Sequence, residues 1–291
     1  GHPRTIRTKS AKKLCQNVPA VLALSGTPIV NRPAEFFPTL NIVRPDLFPS
    51  FHAFAGEFCD PKLRPWGWDY SGASNLDKLH DSLQGVMIRR RKADVLSQLP
   101  PKTRTVVPVP MRDRKAYDEA VMDFRGWARK NLGGKATRTL KAEQLTRLGY
   151  LKQLAALGSL PAKREWADEW LATSGNGKMI VFGIHHKVVD ALHEHWDGRS
   201  VLVTGNVTGR KRQLAVDQFA RDPKVRVFIG NLQAAGTGWN GQAASAVAFA
   251  ELGWRPGDHT QAEDRAHRIH QDKHVDVFYL VARNSIEERL A

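Results

Sequence analysis

Two stretches of this sequence carry side chains able to act on a phosphate. The first is Gln261-Ala262-Glu263-Asp264-Arg265-Ala266-His267-Arg268-Ile269. Gln261, Arg265 and Arg268 are spaced four and three residues apart, so on a helix they share one face. Two guanidiniums beside a glutamine suit the terminal phosphate of a nucleoside triphosphate, because each presents a planar fork of donors. A solvated charged helix would show the same spacing, with Glu263 and Asp264 partly offsetting the arginines. The second stretch is Ala235-Gly236-Thr237-Gly238-Trp239-Asn240-Gly241. Gly236 and Gly238 would let backbone N–H groups approach a phosphate, and Thr237 adds a hydroxyl donor. Such a loop taken alone is more often plain turn geometry.

From Pro161 onward the chain has the rhythm of a scaffold for these residues. Strands are expected at 179–182, 201–203, 225–230, 246–250 and 275–281, and helices at 161–173, 186–196, 209–221, 259–269 and from Ser285. Short apolar strands alternating with helices of this length predict a parallel sheet covered on both faces. Ligands of open α/β sheets bind beyond the carboxyl ends of the strands, and both phosphate-competent stretches are expected there. Upstream, Val21-Leu22-Ala23-Leu24 predicts a buried strand ended by Ser25-Gly26-Thr27-Pro28. Residues 33–83 are rich in aromatics and punctuated by proline, which predicts short packed helices and a loop over 60–72. Their phenylalanines read as core rather than as platforms for bases. A basic cluster, Arg89-Arg90-Arg91-Lys92, fits either a linker held by carboxylates or a DNA contact. A strand-like run at 105–109 follows, then a helical pattern over 111–157, broken at Gly133-Gly134. The surplus of basic residues in those helices, Lys152 among them, fits a solvated face or a DNA-facing protrusion. The expected segmentation is 1–109, 110–160 and 161–291.

The 291 residues hold 44 Lys plus Arg against 29 Asp plus Glu, a net charge of +15. An excess of that size points to a polyanionic partner, nucleic acid first, since phosphate neutralisation supplies most non-specific binding energy. Two cysteines without paired spacing argue against a disulfide framework or a structural zinc site, and the 11 histidines are scattered. No metal ligand is therefore expected. With no run of 18 apolar residues, a soluble intracellular protein without a membrane partner is expected, and a monomer by default. The basic opening without a start methionine is what a fragment would show.

Order and spacing then carry a resemblance. Leu24-Ser25-Gly26-Thr27-Pro28 with Asn31-Arg32-Pro33, the Lys178–Phe182 run, Gly236-Thr237-Gly238 and Gln261…Arg265…Arg268 resemble motifs III to VI of superfamily-two helicases, in the Swi/Snf-related branch. Arg89-Arg90-x-Lys92-x-Asp94-Val95-Leu96 with Leu99-Pro100-x-Lys102 resembles that branch's signature before its interlobe linker. Phe249-Ala250-Glu251-Leu252, Trp254-x-Pro256-Gly257 and the 261–269 block look like its HepA-related annealing-helicase subgroup. Three positions depart from the pattern: His270 stands where glycine is usual, Arg255 where asparagine is, and Trp239 where leucine is.

The resemblance implies an α/β fold. A RecA-like second lobe would be preceded by the remainder of a first lobe and helical insertions. It implies ATP with Mg2+ and the backbone of duplex DNA as partners, in an ATP-dependent double-stranded-DNA translocase of fork-remodelling, DNA-repair type. Arg265 and Arg268 would be arginine fingers. Gln261, Gly236, Gly238 and Asp264 would lie on the nucleotide side. Thr237, Ser25, Thr27, Lys178, Arg89 and Arg90 would lie on the DNA side. No Gly-x-x-x-x-Gly-Lys-Ser/Thr loop and no Asp-Glu-x-His box occurs in the 291 residues. The chain alone is therefore expected not to hydrolyse ATP. A strand-separating helicase of the wider superfamily, or a non-catalytic basic DNA-binding lobe, are the other readings.

Overall fold

The computed structural model describes residues 3–26, 32–90, 92–132, 143–235 and 238–291. The chain divides into two compact units, Gly1–Ser97 and Gln98–Ala291.

The first unit is built on aromatic packing. Helices Ile6–Cys15, Phe37–Val43, Phe51–Phe58 and Leu76–Leu83 surround Phe36, Phe37, Phe48, Phe54 and Phe58, all buried. Their rings meet edge-on or tilted, Phe37–Phe54 at 5.4 Å and Phe54–Phe58 at 5.1 Å, the arrangement favoured by the aromatic quadrupole. The expected core role of these residues holds. Thr5 caps the first helix by accepting from the Thr8 amide, and Ser50 caps the third by accepting from the Ala53 amide. Two sequence expectations fail here. Residues 21–24 form no strand, and Leu22 and Leu24 are exposed; an apolar run of four needs paired neighbours, and none is supplied among the described residues. The loop expected over 60–72 is an antiparallel hairpin, β1 Lys62–Arg64 with β2 Gly67–Asp69.

The second unit holds a six-stranded sheet: β3 Lys102–Val109, β4 Met179–Gly183, β5 Ser200–Val203, β6 Val227–Asn231, β7 Ala246–Phe249 and β8 Val275–Ala282. Every pairing is parallel, and the order is β3-β8-β7-β4-β6-β5. The β4 residues are buried throughout, as a central strand covered on both faces requires. Phe182, Phe228, Phe249 and Val277 pack on one face; Met179, Val181, Ile229 and Trp196 pack on the other.

The segmentation differs from expectation at both boundaries. The strand at 102–109 belongs to the large sheet as its edge, paired along its whole length with β8. One helix, Glu143–Thr173, runs through Pro161 and across the expected break at 160/161. Proline lacks an N–H, which normally ends or kinks a helix. Close to it, the Gly158 carbonyl accepts from the Asp113 amide at 3.2 Å, outside the helix. The basic residues expected on a solvated or DNA-facing helical surface are partly inside. Of these, Lys152 is buried and donates to the Leu252 carbonyl; further along the same helix Lys163, outside that expectation, is also buried and donates to the Ala250 carbonyl and Glu287. The last helix expected from Ser285 is a short 3-10 turn, Ile286–Arg289.

Candidate nucleotide and nucleic-acid site

The helix expected over 259–269 is shorter, Pro256–Glu263, and Arg265 and Arg268 lie in the turns beyond it. Proline starts it at its first position, where the missing N–H costs nothing. Just before it, the Gly253 amide donates to His259 Nε2 at 2.9 Å, and burial pushes the His259 imidazole down, which suits this accepting nitrogen. The helix starts beyond the carboxyl end of β7 and must deliver the chain to the amino end of the parallel strand β8. Residues after it therefore lie at the amino side of the sheet, and the carboxyl-end position expected for the 264–271 turn is corrected. Three bonds show this. Gly241 N donates to Arg265 O at 2.9 Å, and Gln271 Nε2 donates to Ala244 O and Ala266 O, both at 3.0 Å. Ala244 stands two residues before β7.

The two arginines nevertheless converge. Arg265 Nη1 and Arg268 Nη1 donate to the same acceptor, the Trp239 carbonyl, at 3.2 and 3.0 Å, and Arg265 Nε also donates to Gln261 O. They meet there through the fold of a turn and not through a common helix face. Trp239 is held rigidly for this task. Its indole is buried, stacks on Phe228 with centroids 3.9 Å apart, and donates to the Ala235 carbonyl. Gly241 is close-packed: an added Cβ would stand 2.8 Å from Ile180 Cδ1 and 3.1 Å from Arg265 O. Gly238 takes a left-handed φ of 79° with open space around it, a conformation glycine adopts without penalty. Gly236 and Thr237, like Thr27, lie outside the described residues.

Among the described residues, neither Arg265 nor Arg268 is ion-paired. Burial first, then the charges of Arg268 and Arg212, push the Arg265 guanidinium down from its ordinary value, with Asp264 opposing. A guanidinium stays protonated regardless, so the site concentrates positive charge against a neutral carbonyl.

Glu263 does the opposite of what its sequence position suggested. It offsets neither arginine but turns inward, fully buried. It accepts from Lys102 Nζ at 2.7 Å, from Arg104 Nη2 at 2.7 Å and from Tyr279 Oη at 2.6 Å. Burial alone would raise its carboxyl; the bonds from Arg104, Lys102 and Tyr279 outweigh that and hold it at about 2. Asp264, expected on the nucleotide side, lies 3.7 Å from Lys102 Nζ. His267 Nε2 lies 2.8 Å from the Pro100 carbonyl. Residues 100–104 and the 263–267 segment are thus bound together. Gln271, Lys102, Arg104 and Tyr279 were missed as parts of this arrangement, although Lys102 stands in the Leu99-Pro100-x-Lys102 signature.

The carboxyl-end crevice, where the strand order reverses between β4 and β7, is filled by the protein itself. Glu251 accepts from the Ile184 and His185 amides at 2.6 and 2.8 Å and pairs with His185 Nδ1. Burial raises its carboxyl, but these partners lower it further. Lys178, expected to touch DNA, spends its ammonium on the Phe219 and Asp222 carbonyls at the end of helix Gly209–Arg221, and is corrected to a structural cap. Ser25, Arg89 and Arg90 are exposed in the first unit.

The sequence profile of the SNF2-related domain matches residues 3–156, and that of the helicase conserved C-terminal domain matches residues 162–270. The chain belongs to the SNF2-related family. A Xenopus tropicalis relative, the SWI/SNF-related matrix-associated actin-dependent regulator of chromatin subfamily A-like protein 1, is 38% identical over 291 residues; the alignment covers 99% of this chain and 30% of that protein. The human DNA annealing helicase and endonuclease ZRANB3 is 33% identical over 298 residues, covering 97% of this chain and 26% of that protein. This SNF2-related chain thus spans about 30% or less of the length of these relatives. The Sulfolobus solfataricus SWI2/SNF2 ATPase core solved with dsDNA superposes with a TM-score of 0.51 at 23% identity, covering 99% of this chain and 62% of that one. The fold is the RecA-like helicase fold expected from the resemblance. The match to the helicase conserved C-terminal domain spans the 261–269 segment, whose helix is shorter than its sequence pattern.

Proposed function

We propose that this chain is the part of an ATP-driven double-stranded-DNA translocase, of annealing-helicase and fork-remodelling type, that supplies the arginine fingers. One observation carries the reading: two half-buried guanidiniums converge on one neutral carbonyl with no carboxylate partner among the described residues. A carbonyl orients them without neutralising them, so a γ-phosphate oxygen, which accepts a charge-assisted bond, displaces it favourably. Arg265 and Arg268 then face the phosphate, while Gln261 and Gly238 shape the nucleotide side, for which Gly236, outside the described residues, is a candidate from the sequence alone. Glu263 keeps the segment in place by its bonds to Lys102 and Arg104. The names of the annealing-helicase relatives and the dsDNA in the Sulfolobus neighbour support DNA as the track. The net charge of +15 supports contact to phosphate, with Thr237, Ser25, Thr27, Arg89 and Arg90 as candidates.

ATP bound with Mg2+ supplies the anhydride that is hydrolysed. The described residues gather no group of three or more His, Cys, Asp or Glu able to hold a metal ion, and the 291 residues contain no phosphate loop. Both must come from the first-lobe motifs of the intact enzyme, so the chain alone is inactive. Arg268→Ala in the intact enzyme is expected to lower DNA-stimulated ATP hydrolysis by about 10³-fold or more, with its salt-sensitive duplex affinity unchanged. Turnover retained within a few-fold of the parent would remove the finger assignment.

A further inference from the structure

The hairpin of the first unit is presented, not packed. Its base is cinched: the Ser74 amide donates to Phe58 O at 3.1 Å, and Ser74 Oγ and Asn75 Nδ2 both donate to Glu57 O at 2.8 Å. The Asp60 amide donates to Ser74 Oγ at 3.0 Å. Asp60 and Asn75 take left-handed φ values of 43° and 48°, a conformation that Asp and Asn adopt more readily than other side-chain-bearing residues and that turns the chain at both ends of the hairpin. Tyr70, just after β2, packs edge-on against Phe51 with centroids 5.4 Å apart. This rigid stem carries an apolar tip into solvent. The register sets Leu63 opposite Trp68, so both project from one face. They are 71% and 59% exposed, and Trp66 in the two-residue turn is 81% exposed. The alternate positions are charged: Lys62 pairs with Asp60 at 2.9 Å and Arg64 with Asp69 at 3.7 Å, exposed pairs that hold their cations weakly.

The geometry points to this hairpin as a binding element for unpaired bases in nucleic acid, with Trp66 stacking on a base and Lys62 and Arg64 meeting the flanking phosphates. Size selects this occupant. Two indoles and a leucine expose on the order of 400 Å², about half of what each partner buries in a standard protein interface. The same surface matches one or two stacked bases, and interleaved aromatic and basic residues are the pattern of single-strand binding. A two-stranded ribbon is also narrow enough to enter a DNA groove or fork. The inference rests on the proposed fork-remodelling reading and deepens it by naming the element of this chain that engages the unpaired strand.

The test compares binding of the chain to a uniform duplex and to the same duplex carrying an unpaired flap. Trp66→Ala is expected to weaken flap binding about ten-fold and leave uniform-duplex binding unchanged, while Trp66→Phe keeps most of the affinity. Equal affinities of Trp66→Ala and the parent for the flap substrate would overturn the proposal, as would an equal loss on both substrates. Loss of self-association in Trp66→Ala with DNA binding intact would also overturn it, assigning the hairpin to a second copy. Flap binding that depends on Trp66 without any duplex binding would uphold the hairpin and sink the duplex-track reading.

Discussion

Two sets of cations flank the end of helix Pro256–Glu263, and they are used in opposite ways. Lys102 and Arg104 meet the buried Glu263 carboxylate, with the Tyr279 hydroxyl completing its shell. Arg265 and Arg268, two and five positions further along, both meet the Trp239 carbonyl, and Arg265 also meets that of Gln261. The first pair is charge consumed in building the turn; a buried carboxylate with several donors is costly to disturb and specifies one geometry. The second pair is charge without a carboxylate partner among the described residues, held in position by backbone carbonyls, which is the basis of the proposed phosphate role. One further cation confirms that the distinction is not simply basic residue against solvent. Among the described residues Lys178 has no carboxylate bond either, but its ammonium is divided between two carbonyls at a helix end and contacts the Phe219 ring. Neutral partners are therefore common to Lys178 and the two arginines; what sets the arginines apart is that two guanidiniums converge on one carbonyl.

Removing the consumed charge should have the largest effect on stability. Glu263→Gln is expected to cost about 3 kcal/mol at pH 7, read from the urea midpoint. Because the folded carboxyl is held at about 2, below its ordinary value of 4.5, its stabilisation is complete above that ordinary value. It fades as pH falls from about 4.5 towards 2. The gap between parent and variant should close over the same window; a gap independent of pH would show that Glu263 acts through shape and not charge. Next is the close approach that brings the finger turn to the crossing loop. Gly241→Ala should destabilise by about 1–3 kcal/mol. Adding Ile180→Val, which removes the atom 2.8 Å from the new Cβ, should make the pair less costly than the two changes summed. Strict additivity would break the steric account. The smallest effect concerns His270, which takes a φ of 71°. His270→Gly should stabilise by about 0.5–1 kcal/mol, since glycine relieves the left-handed strain but adds chain entropy to the unfolded state. A lower thermal midpoint would contradict this.

His270 also shows how much of the site could be read in advance. The residue pattern marked it as a departure from glycine, and the left-handed turn explains why glycine is usual there. The parallel sheet was legible from alternating apolar runs, because fully buried strands such as Met179–Gly183 must be apolar on both faces. The helix length was not legible. Nothing local distinguishes the helical 256–263 from the turns of 264–270, which are decided by the need to reach β8 and by Gln271 reaching three carbonyls of the same neighbourhood. The depth of Lys152 and Lys163 was equally hidden, since a basic residue on an amphipathic helix looks solvated until the carbonyls beside it are known.

Residue order and type by themselves determined the family, the parallel α/β character of the second unit and the pair of arginines, because these depend on patterns that survive without coordinates. Only the folded chain decided that Glu263 turns inward to Lys102 while Arg265 and Arg268 meet at Trp239. It also decided that an exposed hairpin carries Trp66 outward. Those outcomes depend on which distant groups come within hydrogen-bond reach, and parallel strands joined by crossovers bring together residues as far apart as Lys102 and Glu263, 161 positions.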